Sequence, residues 1–143
     1  MNTISISFIL PTKAKPTQIW QYYTDLNLRK LWETDLEDFR IFGDLKTGAK
    51  GIFKLQNIPE MEVTLSKIID KQEFTEQFDM PEIGLLFFSH QIIEISHNQY
   101  ALKSEISLKP DPKMDTKASY DFIKQISDDI IDKTYKLNGL VEG

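Results

Sequence analysis

Residues 115–140 read DTKASYDFIKQISDDIIDKTYKLNGL, and on a 3.6-residue period Phe122, Ile123, Ile126, Ile130, Leu137 and the following Val141 fall in one sector. Tyr120, Ser127, Ile131 and Thr134 widen that sector, while Asp121, Lys124, Gln125, Asp128, Asp129, Asp132 and Lys136 take the opposite side. The pattern predicts one amphipathic helix, about 35 Å long at a rise of about 1.5 Å per residue. Asp115 or Thr116 is placed to cap its first turn, and Asn138-Gly139 to stop it in a left-handed conformation. Lys133 and Lys136 fall where the negative end of the helix dipole favours cations. A helix this long and this broadly apolar requires a large concave partner.

The preceding chain supplies mostly strands. Ile4, Ile6, Phe8 and Leu10 alternate with Ser5 and Ser7 in a half-buried first strand that Pro11 is expected to end. Pro16 suits the first position of a helix carrying Ile19, Trp20 and Tyr23 through Thr24, and Asp25 the cap of a second short helix carrying Leu28, Leu31 and Trp32. Strands follow at Phe39–Phe42, around Phe53 and Leu55 after Gly48 and Gly51, and through Met61, Val63 and Leu65. Phe74, Glu76 and Phe78 share one face of the next strand, Leu85 to Ile95 forms a long one, and Tyr100, Leu102, Ser104, Ile106 and Leu108 alternate along the last. Asn57-Ile58-Pro59-Glu60, Asp70-Lys71 and His97-Asn98 have the chemistry of turns. The order strand, two helices, six strands, long helix predicts an α+β fold: an antiparallel meander curved around its terminal helix.

The 143 residues fit one domain, 1–143, large enough to bury about 70% of its unfolded surface. Seventeen basic against 22 acidic residues give a net charge of -5, with no basic stripe to neutralise a phosphate backbone, so no nucleic acid partner is expected. The absence of cysteine removes disulfides, thiolate nucleophiles and thiolate metal sites together. The start lacks the basic segment and continuous apolar run of a signal peptide, and no stretch approaches the about 20 apolar residues of a membrane span, so a cytoplasmic protein is expected. Oligomeric state is open.

Pro16-x-x-Ile19-Trp20, Thr24-Asp25-Leu26, Trp32, Gly48-x-x-Gly51 and Phe122-Ile123-x-x-Ile126, in this order over nearly the whole chain, resemble the START/Bet v 1-like (SRPBCC, polyketide cyclase-type) superfamily. The resemblance implies a helix-grip fold, with a curved seven-stranded antiparallel sheet around the long C-terminal helix and a hydrophobic cavity between them. The superfamily includes binders, transporters, cyclases and co-chaperones, so the fold leaves function to the site. No catalytic constellation transfers residue by residue.

The cavity wall is expected from Trp32, Phe53, Phe74, Phe88, His90 and Ser104, and from Ile123, Ile126, Ser127, Ile130 and Thr134 on the helix. His90 shares a strand face with Leu86, Phe88 and Ile92; there it can serve as a general base, although a locally satisfied or outward-turned histidine is the commoner arrangement and is expected. Glu76, between two phenylalanines, would act as an acid or base if turned inward; a bent edge strand that exposes it is expected instead. His97 is expected in solvent. Ser104, Ser127 and Thr134 either orient a ligand or sit where sheet and helix approach closely. Of the first aromatic cluster, Trp20 is expected in the core and Trp32 at the rim. Two histidines seven apart without cysteine or HExxH make no metal set, and Gly48-Ala49-Lys50-Gly51 lacks phosphate-loop spacing, so neither metal nor cofactor is expected.

Three functions follow. The first is non-catalytic binding of a small hydrophobic molecule, a lipid or polyketide-like aromatic, through the wall residues above. The second is a cyclase or hydrolase-type enzyme using His90 or Glu76, with Tyr22, Tyr23 or Tyr100 as hydrogen-bond donor. The third is a co-chaperone-like interaction module with a filled interior and an exposed apolar patch.

Overall fold

Alternating side chains build seven strands, and the short connections joining the last six favour antiparallel pairing among them. The structure, a computed structural model, describes residues 3–143. In chain order it contains β1 (Ile4–Thr12), α1 (Pro16–Thr24), α2 (Leu26–Arg29), β2 (Leu36–Phe42), β3 (Lys50–Leu55), β4 (Met61–Ile69), β5 (Glu73–Met80), β6 (Gly84–Ser96), β7 (Gln99–Pro110) and α3 (Thr116–Glu142). The sheet runs β1-β7-β6-β5-β4-β3-β2. Strands β2 to β7 therefore form a meander, and β1 closes onto β7. The two short helices join the two edge strands, β1 and β2, which lie at opposite ends of the sheet.

Pro11 does not end β1. The strand runs on to Thr12, with Pro11 opposite Ala101, because an edge strand tolerates a residue without a ladder N–H. Asp25 has the role expected of it: its Oδ1 accepts from the backbone N–H of Asn27 and of Leu28 at 2.9 and 3.3 Å. The second helix is shorter than its pattern, and Leu31 and Trp32 lie in the turns after it. At Gly51 the backbones of β2 and β3 approach so closely that a Cβ would collide with the Arg40 carbonyl oxygen.

Asp115 caps α3 through a 2.7 Å bond from the Ala118 N–H. The helix passes through Asn138-Gly139 without stopping and reaches Glu142. Leu137 and Val141 are buried on either side of that pair, and burying such side chains is worth about 2 kcal/mol each, more than the preference of Gly for a helix end. Ile123 and Ile130 complete the buried stripe, whereas Tyr120, expected to widen it, is 50% exposed. Lys133 is not a solvated cation at the helix end; it is buried, for reasons given below.

Helix α3 packs chiefly on β1 and β7. A hydrogen bond of 2.7 Å between Ser104 on β7 and Thr134 on α3 joins the two layers. Where the sheet curves away toward β3 to β6, the helix no longer fills its concave face.

Candidate functional site

Register brings the inward residues of β5 and β6 together: Phe74 faces His90, Glu76 faces Phe88, and Phe78 faces Leu86. Glu76 and His90 are thus diagonal neighbours on the concave face, within reach of each other. Strand β5 lies in the middle of the sheet, not at an edge, and Glu76 is 1% exposed. The expected exposure of Glu76 is overturned. His90 is likewise turned inward, 4% exposed.

A carboxylate cannot stay ionised there alone, and Arg29 supplies the countercharge. Glu33 follows Arg29 by one helical turn, its N–H donating to the Arg29 carbonyl at 2.9 Å, so the two side chains leave the same face. Arg29 Nε donates to Glu33 Oε1 at 2.8 Å and Nη2 to Glu76 Oε1 at 2.7 Å. The guanidinium carbon lies 4.7 Å from the Phe39 ring centroid and 5.6 Å from that of Phe74, where the ring faces offset part of its lost hydration. Burial opposes the charge on Arg29, but Glu76 and Glu33 raise its pKa further still. Burial would also raise Glu76; the Arg29 charge, with a hydrogen bond from His90, holds it down to about 2.

Because Glu76 is ionised it can only accept, so His90 Nε2 carries the proton in their 3.2 Å contact. In the neutral imidazole that assignment leaves Nδ1 with its lone pair. Tyr23 stacks on the imidazole at 5.3 Å between centroids, and Trp32 meets its face edge-on at 5.7 Å. Burial pushes the Tyr23 hydroxyl up, so it stays a neutral phenol. Glu76 Oε1 serves both Arg29 and His90, whereas Oε2 is buried with no hydrogen-bond partner among the described residues.

Glu76 and His90 open on a cavity of about 410 Å³ between the β3–β6 half of the sheet and α3, a volume within the range of small-molecule sites. Its apolar wall includes Phe53, Leu55, Met61, Phe78, Phe88 and Phe122. Lys133 enters from α3, meeting Asp35 at 2.8 Å, Asp129 at 2.9 Å and Glu33 at 3.7 Å. Its burial works against the ammonium charge, but Glu33, Asp35 and Asp129 together raise its pKa.

Of the residues expected on the wall, Phe53, Phe88, His90, Ile126 and Ile130 line this cavity. Trp32, Phe74 and Ile123 are packed in the core instead. Trp32, 2% exposed, is not a rim residue; its Nε1 donates to the Tyr22 carbonyl at 2.8 Å. Trp20, expected in the core, is half-buried. Ser104 and Thr134 bond each other, and Ser127 Oγ donates to the Lys124 carbonyl, so these hydroxyls hold the helix to the sheet and to itself. His97 is exposed. Sequence reasoning missed Arg29, Glu33 and Lys133. The available signal was Glu76 itself: a carboxylate in an apolar strand face calls for a buried cation, and Arg29-x-x-x-Glu33, starting at the end of a capped helix, is a spacing that can supply one.

No protein-family profile matches the chain, and no curated protein matches it. Solved structures do. A conserved protein of unknown function from Enterococcus faecalis is 24% identical with a TM-score of 0.65, over 98% of this chain and 72% of its own. Truncated norcoclaurine synthase from Thalictrum flavum is 14% identical with a TM-score of 0.70, over 98% of this chain and 94% of its own. A protein of unknown function from Staphylococcus aureus is 13% identical with a TM-score of 0.61, over 97% and 95%. The chain shares with these structures a helix-grip fold, a curved seven-stranded antiparallel sheet around a long C-terminal helix. No helix among the described residues is long and apolar enough to cross a membrane.

Proposed function

We propose that the cavity takes up a small, largely apolar molecule and that the Glu76–His90 pair performs proton transfer on it, as in a cyclase or hydrolase-type enzyme. The observation that carries this reading is the buried 3.2 Å contact between an ionised carboxylate and an imidazole on the wall of an apolar cavity. Arg29 keeps Glu76 too weak a base to take the proton itself. His90 is therefore the group that exchanges it, through Nδ1, while Glu76 fixes the tautomer and stabilises the imidazolium that forms. Tyr23 and Trp32 hold the ring in place. Norcoclaurine synthase, an enzyme with this fold, supports a chemical use of such a cavity.

A second reading, passive binding of an apolar ligand, is favoured by the phenylalanine-rich wall. The unfilled interior speaks against the interaction-module reading. Mass spectrometry of the protein incubated with a panel of aromatic and aliphatic carbonyl compounds separates the first two. Conversion of at least one compound, slowed about 100- to 10,000-fold in His90→Gln with binding retained, supports proton transfer. Compounds that bind yet return unchanged from the wild-type protein favour the passive binder, and a panel that never binds removes both readings.

A further inference from the structure

We propose that β1 is a dimerisation edge: two copies of the chain pair their first strands antiparallel about a two-fold axis through Ser7, joining their sheets into one. The inference is independent of the cavity and of the function proposed for it.

The two edges of the sheet differ. At one end β2 carries Glu37, Asp38 and Arg40, and its register shifts between Leu36 and Asp38. Charges and bulges of this kind keep an edge from pairing with another chain. At the other end β1 has neither. Its nine residues include no charged side chain, its pairing with β7 is unbroken from Ile4 to Thr12, and among the described residues no strand lies beyond it. Its one guard is Pro11, close to its end. Ile4, Ile6, Phe8 and Leu10 share the face turned to α3, yet each is only half-buried, and Ile9 on the other face is 51% exposed.

Register decides which backbone groups are free. The Asp111 N–H donates to the Ile83 carbonyl at 2.9 Å, one step beyond the Gly84–Pro110 pair, so the odd-numbered residues of β7 bond to β6. Bonded and non-bonded pairs alternate along an antiparallel ladder. The even-numbered residues of β7 therefore bond to β1, through Ile4, Ile6, Phe8, Leu10 and Thr12. That leaves the N–H and C=O groups of Ser5, Ser7 and Ile9 pointing outward. The ring nitrogen of Pro11 points the same way, which is how an edge strand accommodates proline.

A second copy is the occupant this edge fits, because a two-fold axis supplies the same uncharged pattern from both sides. With Ser7 opposite its own counterpart, Ser5 pairs with Ile9 and Ile9 with Ser5, and each pair exchanges two backbone hydrogen bonds. The same register sets Ile4 against Leu10 and Ile6 against Phe8, so every half-buried apolar residue of the strand meets another and no charge opposes a charge. Moving the axis toward Ile9 puts Pro11 in the ladder opposite Ser5. Moving it toward Ser5 leaves Leu10 without an apolar partner.

The sequence has no cysteine, so single cysteines report this register without background. Ser5, Ser7 and Ile9 are exposed, and substitutions there keep the fold, as circular dichroism would verify. Residues directly paired in this register have Cα atoms about 5.5 Å apart, within disulfide reach. Under mild oxidation Ser7→Cys should form a disulfide dimer at least about tenfold faster than Ser5→Cys or Ile9→Cys, each about 14 Å from its own counterpart. A mixture of the latter two should cross-link at least about tenfold faster than either alone. Sedimentation of the wild-type chain at about 100 µM should show dimer. Ser7→Lys, which opposes two ammonium groups at the axis, should weaken it at least about tenfold, whereas Phe42→Lys, at an exposed position on the opposite edge, should leave it unchanged. A wild-type chain that stays monomeric to about 500 µM, a dimer that Ser7→Lys leaves intact, or three cysteine variants that cross-link at equal rates would each overturn the inference.

Discussion

Replacing Arg29 with Met keeps most of the side-chain volume and removes the charge on which Glu76 depends. Two charge-assisted hydrogen bonds, of 2.8 and 2.7 Å, disappear, and Glu76 is left as an uncompensated buried carboxylate. Breaking a buried pair from one side costs about 3–5 kcal/mol, a large share of the about 5–15 kcal/mol that holds a domain together. The loss must depend on pH. In the wild type Glu76 titrates at about 2 when folded, against 4.5 as its ordinary value. Its contribution is therefore complete above pH 4.5 and disappears as pH falls toward 2. In Arg29→Met, burial acts unopposed and raises the Glu76 pKa above its unfolded value. The variant is then penalised increasingly as pH rises above the unfolded value. The two curves diverge upward in pH: the deficit at pH 7 should shrink to about half or less at pH 4. Urea unfolding followed by circular dichroism at both pH values gives these differences. Adding Glu76→Leu should restore stability to within about 1–2 kcal/mol of wild type, since an apolar pair can replace a buried ionic one. A deficit under about 1 kcal/mol at pH 7, or one unchanged between pH 4 and 7, would refute the assignment of Arg29 as the counterion.

Wild-type stability itself should decline on acidification from pH 4.5 toward 2 by an amount on the order of 3 kcal/mol beyond that of Glu76→Gln, as read from paired urea curves. Thr134→Val leaves Ser104 Oγ buried without its partner, and should cost about 1–3 kcal/mol in thermal or urea unfolding with little change in ligand affinity, because neither residue lines the cavity. Ile126→Trp, at a half-buried wall position, should fill the cavity and weaken binding about tenfold or more while stability moves by about 1 kcal/mol; undiminished affinity would place the ligand elsewhere.

Most of the architecture was legible because it is written in local periodicity. Strands announce themselves at a spacing of two and α3 at 3.6, and the connecting turns carry Asn, Asp, Pro and Gly. Errors arose where a residue's role depends on what lies across from it. Pro11 reads as a stop until β1 is known to be an edge strand. Asn138-Gly139 reads as a stop until Leu137 and Val141 are seen to bury the same helix face beyond it. The site was legible only in part: Phe74, Glu76 and Phe78 were correctly placed on one face, and so were Leu86, Phe88 and His90, but their facing each other follows from strand register. Arg29 and Glu76 are 47 residues apart, so no local pattern joins them. The same holds for Lys133, whose carboxylate partners Glu33 and Asp35 come from the other end of the chain. Trp32 is covered and Trp20 only half-covered because the packing of the first helix and of the turns after the second, not ring size, decides which ring is covered.

A carbon-13 titration of the Glu76 side-chain carboxyl reaches the heart of the matter. The resonance should remain that of a carboxylate down to at least about pH 3. A carboxyl that titrates at its ordinary value of about 4.5 would contradict both the buried Arg29 pairing and the role given to Glu76.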